Sequence, residues 1–373
     1  MKKLIVIGGG ILGASTAYHL SKLGADITII DRKDKGQATD AAAGIICPWL
    51  SQRRNQAWYR LAKAGARYYP RLIEELEKDG ETQTGYARVG ALSIHKDLEK
   101  IEKMEERALK RKEDAPEIGT LTRLNEQETN SYFPPLADGF SSLHVEGAAR
   151  VDGRALRDAL LHAAQENGAL LINGSAFLQY KENRVTGVTV NDETFSSDSV
   201  IICAGAWANE LLEPLGIHFN VTFQKAQIVH LEIPNANTDN WPVIMPPSDQ
   251  YLLAFENGRI VVGATHENDL EGFDCRITAG GLQEVFNKAL DTAPGLANST
   301  LLEARVGFRP FTPGFLPVIG ALPGWNGVFI ANGLGASGLT MGPYLGSELA
   351  KLALGLETEI DLENYDVHGA MES

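Results

Sequence analysis

The 373-residue chain has only three cysteines, Cys47, Cys203 and Cys275, odd in number and far apart. No CxxC pair and no Cys/His cluster occurs, which excludes a disulfide framework and a structural zinc site. The three thiols are expected inside the protein, in a reducing compartment. Positive charge is also short: Lys plus Arg number 34 against 48 for Asp plus Glu, a net charge of -14. That balance repels phosphate backbones and anionic lipid, so neither nucleic acid nor membrane is an expected partner. No apolar run reaches the roughly 18 residues of a spanning helix. Lys2-Lys3 followed by Leu4 to Ile7 is too short an apolar stretch for a signal peptide, so a cytoplasmic protein is expected. GxSxG, HExxH and the P-loop lysine motif are missing, which removes serine-hydrolase, zinc-protease and P-loop readings.

What is present has the texture of a large α/β protein of two units. Residues 4–7 (LIVI) form a short apolar run stopped by glycine, as in a buried parallel strand. Leu12, Ala17, Leu20 and Leu23 follow at helical spacing, Gly24 ends the helix, and Ile27 to Ile30 is a second strand. Val200 to Ala204 and Val328 to Ala331 repeat the strand-then-glycine pattern, leading into helices from about Trp207 and up to about Leu354. Residues 96–114 are densely charged, with Leu98, Ile101, Met104, Ala108 and Leu109 on one helical stripe. Residues 220–265 alternate like antiparallel strands, and Asn257-Gly258 is a hairpin turn signal. An antiparallel sheet set into a parallel framework implies interleaved domains. One is expected over 1–80, 150–215 and 305–373, the other over 81–149 and 216–304.

Two glycine-rich segments carry the chemistry. Gly8-Gly9-Gly10-Ile11-Leu12-Gly13 is a GxGxxG between strand and helix, where glycine permits a tight turn and close approach to a pyrophosphate. The helix N-terminus offers unpaired N–H groups, and Asp31, ending the second strand, can accept from ribose hydroxyls. This motif alone does not separate FAD from NAD. Residues 36–44 (GQATDAAAG) let the chain pass close to a bulky ligand, and 332–343 (NGLGASGLTMGP) open the last long helix. A helix start there can stabilise negative charge on a reduced flavin.

The blocks VIGGGILGASTAYHL, IID, AAAG, VDGRAL, ICAGAWA, GFRPFTPGFLPVIG and NGLGASGLTMGP, in that order over nearly the whole chain, resemble the D-amino-acid oxidase family of flavin-dependent amine oxidoreductases. Glycine oxidase and sarcosine oxidase belong to that family, and glycine oxidase is the nearer in pattern. The resemblance implies a Rossmann-type FAD-binding domain with a parallel sheet, interleaved with an antiparallel-sheet substrate domain. It implies FAD contacts at Gly8, Gly10, Ile11, Leu12, Gly13, Asp31, Arg32, Thr39, Ala42, Ala43 and Gly44. Further contacts are implied at Ala176, Ala204, Gly205, Trp207, Gly333, Gly335, Ala336, Ser337, Gly338, Leu339 and Thr340. Arg309 matches an arginine that pairs with the substrate carboxylate, and Tyr251 a tyrosine that also contacts it. Relatives attach flavin through a late cysteine or a histidine near AAAG. This chain has no cysteine after Cys275 and no histidine in 36–46, so the FAD is expected to be noncovalent. No metal is implied.

The resemblance also sets the expected reaction: glycine, sarcosine or a small D-amino acid gives up a hydride from its α-carbon to flavin N5. The products are an oxo acid, ammonia or an amine, and, with O2 as acceptor, H2O2. A dehydrogenase with another acceptor, a NAD-dependent dehydrogenase and a non-catalytic flavin-binding subunit stay open at this point. One departure stands out. Glycine oxidase carries a second arginine where this chain has Gly335-Ala336-Ser337-Gly338, so strict preference for glycine is not implied. Trp49, Arg53 and His266 lie in segments near the expected site, with pocket and packing roles equally open. Relatives range from monomer to tetramer, which leaves a homo-oligomer open.

Overall fold

Leu4–Ile7 is the buried part of a central strand, Lys3–Ile7, in the computed structural model, which describes residues 1–268 and 270–371. Parallel partners flank it, with Leu4 facing Ile27 on one side and Ser199 on the other. The six-stranded sheet runs Val318–Ala321, Val328–Asn332, Ser199–Ile202, Lys3–Ile7, Asp26–Asp31, Leu170–Asn173, and only the Val318–Ala321 edge is antiparallel. Its central strands are buried on both faces, as parallel strands are when helices cover them. The helix Ile11–Lys22 is itself enclosed, buried from Ile11 to Ser21, because the helices Gly338–Leu354 and Gly153–Glu166 both pack on it. Small residues make the first crossing close. A Cβ on Gly346 would lie 2.7 Å from that of Ser15, and the Ser15 hydroxyl donates to the Pro343 carbonyl at 2.7 Å.

Enclosure has a price in acid. His19 is buried in that helix, with Nε2 2.8 Å from the Tyr68 hydroxyl. Burial, assisted by Arg71, Lys351 and Lys22, pushes its pKa down to about 3. Unfolded histidine titrates near about 6.5, so between those values the unfolded chain binds the extra proton and acid favours unfolding. His230 is depressed in the same way, to about 4, chiefly by burial. Stability is expected to fall as pH drops below about 6.5, by roughly 1 kcal/mol per pH unit for each histidine at the steepest. In urea melts at several pH values, His19→Gln should flatten that slope. An unchanged slope would remove His19 from the account.

The second sheet has eight strands in the order Thr300–Phe311, Thr222–Glu232, Arg259–Gly263, Tyr251–Ala254, Val243–Met245, Ala91–His95, Ser141–Val145, Leu121–Leu124. It is antiparallel apart from the Val243–Met245/Ala91–His95 pair. Asn257 and Gly258 both take positive φ, 61° and 76°, and close the expected hairpin with Ala254 opposite Ile260. Alternation fails along Thr222–Glu232, which is buried continuously from Lys225 to Leu231, because the helix Ala279–Thr292 packs on it. The charged helix forms over Leu98–Lys112, but its stripe is narrower than expected: Ile101 and Ala108 are buried while Leu98 and Leu109 are exposed. Cys47 and Cys203 are buried, whereas Cys275 is part-exposed and donates to the Lys35 carbonyl at 3.2 Å. The expected boundary near 305 falls inside the strand Thr300–Phe311, which pairs with Thr222–Glu232 along its length. Among the described residues no helix is long and apolar enough to cross a membrane.

Candidate active site

The carboxyl ends of the parallel strands open into a cavity of about 450 Å³, the position at which open α/β sheets bind ligands. Gly8 leaves its strand at φ +103°, where a Cβ would meet the Cys203 carbonyl oxygen at 2.4 Å. Gly13 is tighter still, its Cβ position 1.8 Å from the Gly8 carbonyl oxygen. Both positions therefore exclude a side chain, and the helix can start directly against the strand end. Gly10 caps that helix without a side-chain bond, and the Ile11 N–H donates to the Thr39 hydroxyl at 2.9 Å. Asp31 accepts from the Gly9 N–H and, at 2.5 Å, from the Lys33 N–H. Gln37, also in the wall, donates to both Asp31 oxygens at 2.9 and 3.2 Å. Side-chain-free backbone, a helix N-terminus and a carboxylate in one wall fit a dinucleotide.

At the other end the antiparallel sheet supplies the polar groups. Arg309 and Gln224 are register partners, and the guanidinium donates to the Gln224 side-chain carbonyl at 3.1 Å. Gln224 is itself held by donating to Asn268 at 3.0 Å. Among the described residues no carboxylate pairs with Arg309. Tyr251 stands on the hairpin beside it, opposite Gly263. Burial raises the Tyr251 pKa, and the Arg309 guanidinium opposes that rise. His266 also lines the cavity, Nδ1 3.3 Å from Asp249 Oδ2. Burial and then the Arg309 charge lower the His266 pKa, so the ring is neutral at neutral pH. Burial would raise the Asp249 pKa, but bonds from Gln250 and Lys288 take it below its ordinary value, with Lys288 Nζ at 3.1 Å. Asp249 is thus balanced by Lys288, and the Arg309 charge is left facing the cavity. An arginine fork in that state binds a carboxylate through two parallel bonds.

Aromatic rings close one edge. Phe273 stacks on Phe223 at 4.5 Å and on Trp207 at 4.8 Å between centroids, and Phe308 packs edge-on against Phe273 at 5.1 Å.

Of the expected residues, Arg309 and Tyr251 line this cavity, as do Gly8, Gly10, Ile11, Leu12, Asp31, Arg32, Thr39 and Ala42 to Gly44. Ala176, Ala204, Gly205, Trp207, Gly335, Ala336, Gly338, Leu339 and Thr340 complete the set. Gly13, Gly333 and Ser337 do not line it. Gly13 serves the helix–strand contact, and Gly333 turns at φ +82° with its Cβ position 1.8 Å from the Thr312 hydroxyl. Ser337 faces a second cavity of about 280 Å³ instead. The Thr340 hydroxyl is used structurally, donating to the Ile45 carbonyl at 2.9 Å. Trp49 is buried outside the cavity wall, and Arg53 is exposed and lies over the Trp58 ring at 4.6 Å. Gln37, Gln224 and Asp249 were not singled out from the sequence. Gln224 joins Arg309 only through a strand pairing across 85 residues, which no local pattern discloses.

A dinucleotide cradle here continues into a wall that carries an arginine, the layout of a cofactor-dependent oxidoreductase site. The chain matches the FAD dependent oxidoreductase (DAO) family over residues 3–352 and belongs to that family. It is 65% identical over the whole of both chains to the uncharacterized oxidoreductase YurR of Bacillus subtilis (strain 168). The glycine oxidase of Pseudomonas aeruginosa is 28% identical, over 99% of this chain and 100% of the relative. The crystal structure of iminodiacetate oxidase (IdaA) from Chelativorans sp. BNC1 superposes with a TM-score of 0.94 at 46% identity, covering 97% of this chain and 98% of that one. The protein is an FAD-dependent amine or amino-acid oxidoreductase, which sets aside the NAD-dependent and non-catalytic readings.

Proposed function

We infer that the substrate is a small amino acid or N-substituted glycine, one carboxylate of which is held by Arg309 and Tyr251. The observation that carries this reading is the Arg309 guanidinium in the cavity wall, fixed by a neutral amide and paired with no described carboxylate. Glycine, sarcosine, iminodiacetate and small D-amino acids share what such a site grips, a carboxylate one carbon from an amine. The glycine turn, Asp31, the 36–44 segment and the start of the last helix would hold FAD noncovalently. When bound, it supplies the oxidant, taking a hydride from the substrate carbon next to nitrogen.

The chain's own residues do the positioning. The Arg309 fork and the Tyr251 hydroxyl fix the carboxylate and thereby the carbon, which converts an encounter into a held geometry. The amine must be neutral before its C–H bond can break as hydride. The imine then hydrolyses to an oxo acid plus ammonia or the second amine. In this reading the antiparallel sheet, Arg309 included, belongs to the substrate unit, and the parallel sheet with its helices belongs to the FAD unit. Oxygen is the electron acceptor in this reading, with H2O2 as its product. Aerobic turnover with these amines should release one peroxide per substrate consumed. Turnover without peroxide would assign another acceptor, and no turnover with any of them would overturn the substrate class.

A further inference from the structure

The second cavity, about 280 Å³, shares Ile45, Ala336 and Thr340 with the main one. These three residues line both spaces, and at one of them the side chain is only a methyl group. The volume is several times the roughly 30 Å³ share of a water molecule, so it admits a substituent and not merely solvent. Pro48, Leu50, Trp58 and Met245 make its apolar walls, and Ser51 and Ser337 supply hydroxyls.

A cation stands over one of those walls. The Arg53 guanidinium lies 4.6 Å from the centre of the Trp58 ring, and its backbone N–H donates to the Ser51 hydroxyl at 3.2 Å. A guanidinium keeps its charge at any working pH. Among the described residues no carboxylate pairs with it, in a chain of net charge -14. Stacking on Trp58 orients the planar fork while leaving its N–H groups free to donate.

We propose that this second cavity, with Arg53 on Trp58, is a subsite for a distal carboxylate on the substrate nitrogen, which makes the chain selective for dicarboxylic secondary amines of the iminodiacetate class. The inference rests on the reading that Arg309 holds the first carboxylate. The amine then lies between two arginines: one carboxymethyl group is fixed and oxidised, while the other passes Ala336 into the second cavity. Glycine fills only the first half of this arrangement, and sarcosine places a methyl where the second carboxylate belongs.

Binding separates this inference from the oxidation itself. Thiodiglycolate has the two carboxymethyl groups of iminodiacetate on sulfur and carries no amine, and (methylthio)acetate has only one carboxylate. Titrated into the FAD-loaded protein and followed by the flavin spectrum, thiodiglycolate should bind at least tenfold more tightly than (methylthio)acetate. Arg53→Gln should reduce that ratio to within about twofold of unity, and Arg53→Lys should restore part of it. Equal binding of the two acids by the native protein, or a ratio untouched by Arg53→Gln, would overturn the subsite. Loss of both ligands in Arg309→Ala, set beside their retention in Arg53→Gln, tests the first carboxylate site on its own.

Discussion

Arg309→Ala should lower kcat/KM by about 10²- to 10³-fold, mostly through KM, while the purified protein stays yellow. Hydrogen bonds to a charged group contribute about 1.5–3 kcal/mol each, and about 1.4 kcal/mol is a factor of ten. Losing a two-pronged contact therefore costs about two to four decades, of which Tyr251 retains part. Gln224, which accepts from the Arg309 side chain, keeps its own bond to Asn268, so the variant should fold. Arg309→Lys keeps the charge but loses the fork, and should recover no more than part of the lost affinity. Steady-state kinetics with the best substrate, alongside flavin content, checks both. An Arg309→Ala enzyme with native KM would remove the arginine from the substrate site.

Gly13→Ala should yield protein that does not retain FAD. The added methyl would lie 1.8 Å from the Gly8 carbonyl oxygen and 3.2 Å from Cys203 Cβ, and the nearer atom is backbone that cannot rotate away. Either the helix Ile11–Lys22 moves off the strand or the glycine turn reshapes, and both take apart the pyrophosphate cradle. Gly24→Ala is the control. Gly24 has positive φ, +79°, but nothing lies within 4 Å of its Cβ position. It should lose only the roughly 1 kcal/mol of a strained non-glycine residue and remain yellow. Bound flavin per mole of purified protein separates them. Full flavin content in Gly13→Ala would show that the helix–strand contact tolerates a side chain.

The parts of the molecule legible in the sequence are those written locally. An apolar run cut by glycine placed the Lys3–Ile7 strand, and Asn257-Gly258 placed the hairpin, because each signal is complete within a few residues. Arg309 and Tyr251 were found through the blocks around them, and the structure brings both to one cavity wall. What was hidden depends on pairing over long separations. The strands Thr222–Glu232 and Thr300–Phe311 meet in a register that puts Gln224 beside Arg309, and neither segment announces the other. Asp249 and His266 come from either side of the hairpin. The two-sided burial of Thr222–Glu232 reflects a helix that arrives almost fifty residues later. Exposure of Leu98 and Leu109 has the same origin, since a helical stripe shows which face is apolar and not how much of it a neighbour covers.

The most direct test of the account is anaerobic reduction of the bound flavin by amines. Iminodiacetate, sarcosine, glycine or D-alanine mixed with the oxygen-free protein should bleach the yellow absorbance. Acetate and the corresponding 2-hydroxy acid glycolate should not, and Arg309→Ala should shift the half-saturating amine concentration upward by two to three decades. Bleaching by glycolate alone, or by none of the amines at any concentration, would contradict the reading of this site as one that oxidises the carbon between an amine and a carboxylate.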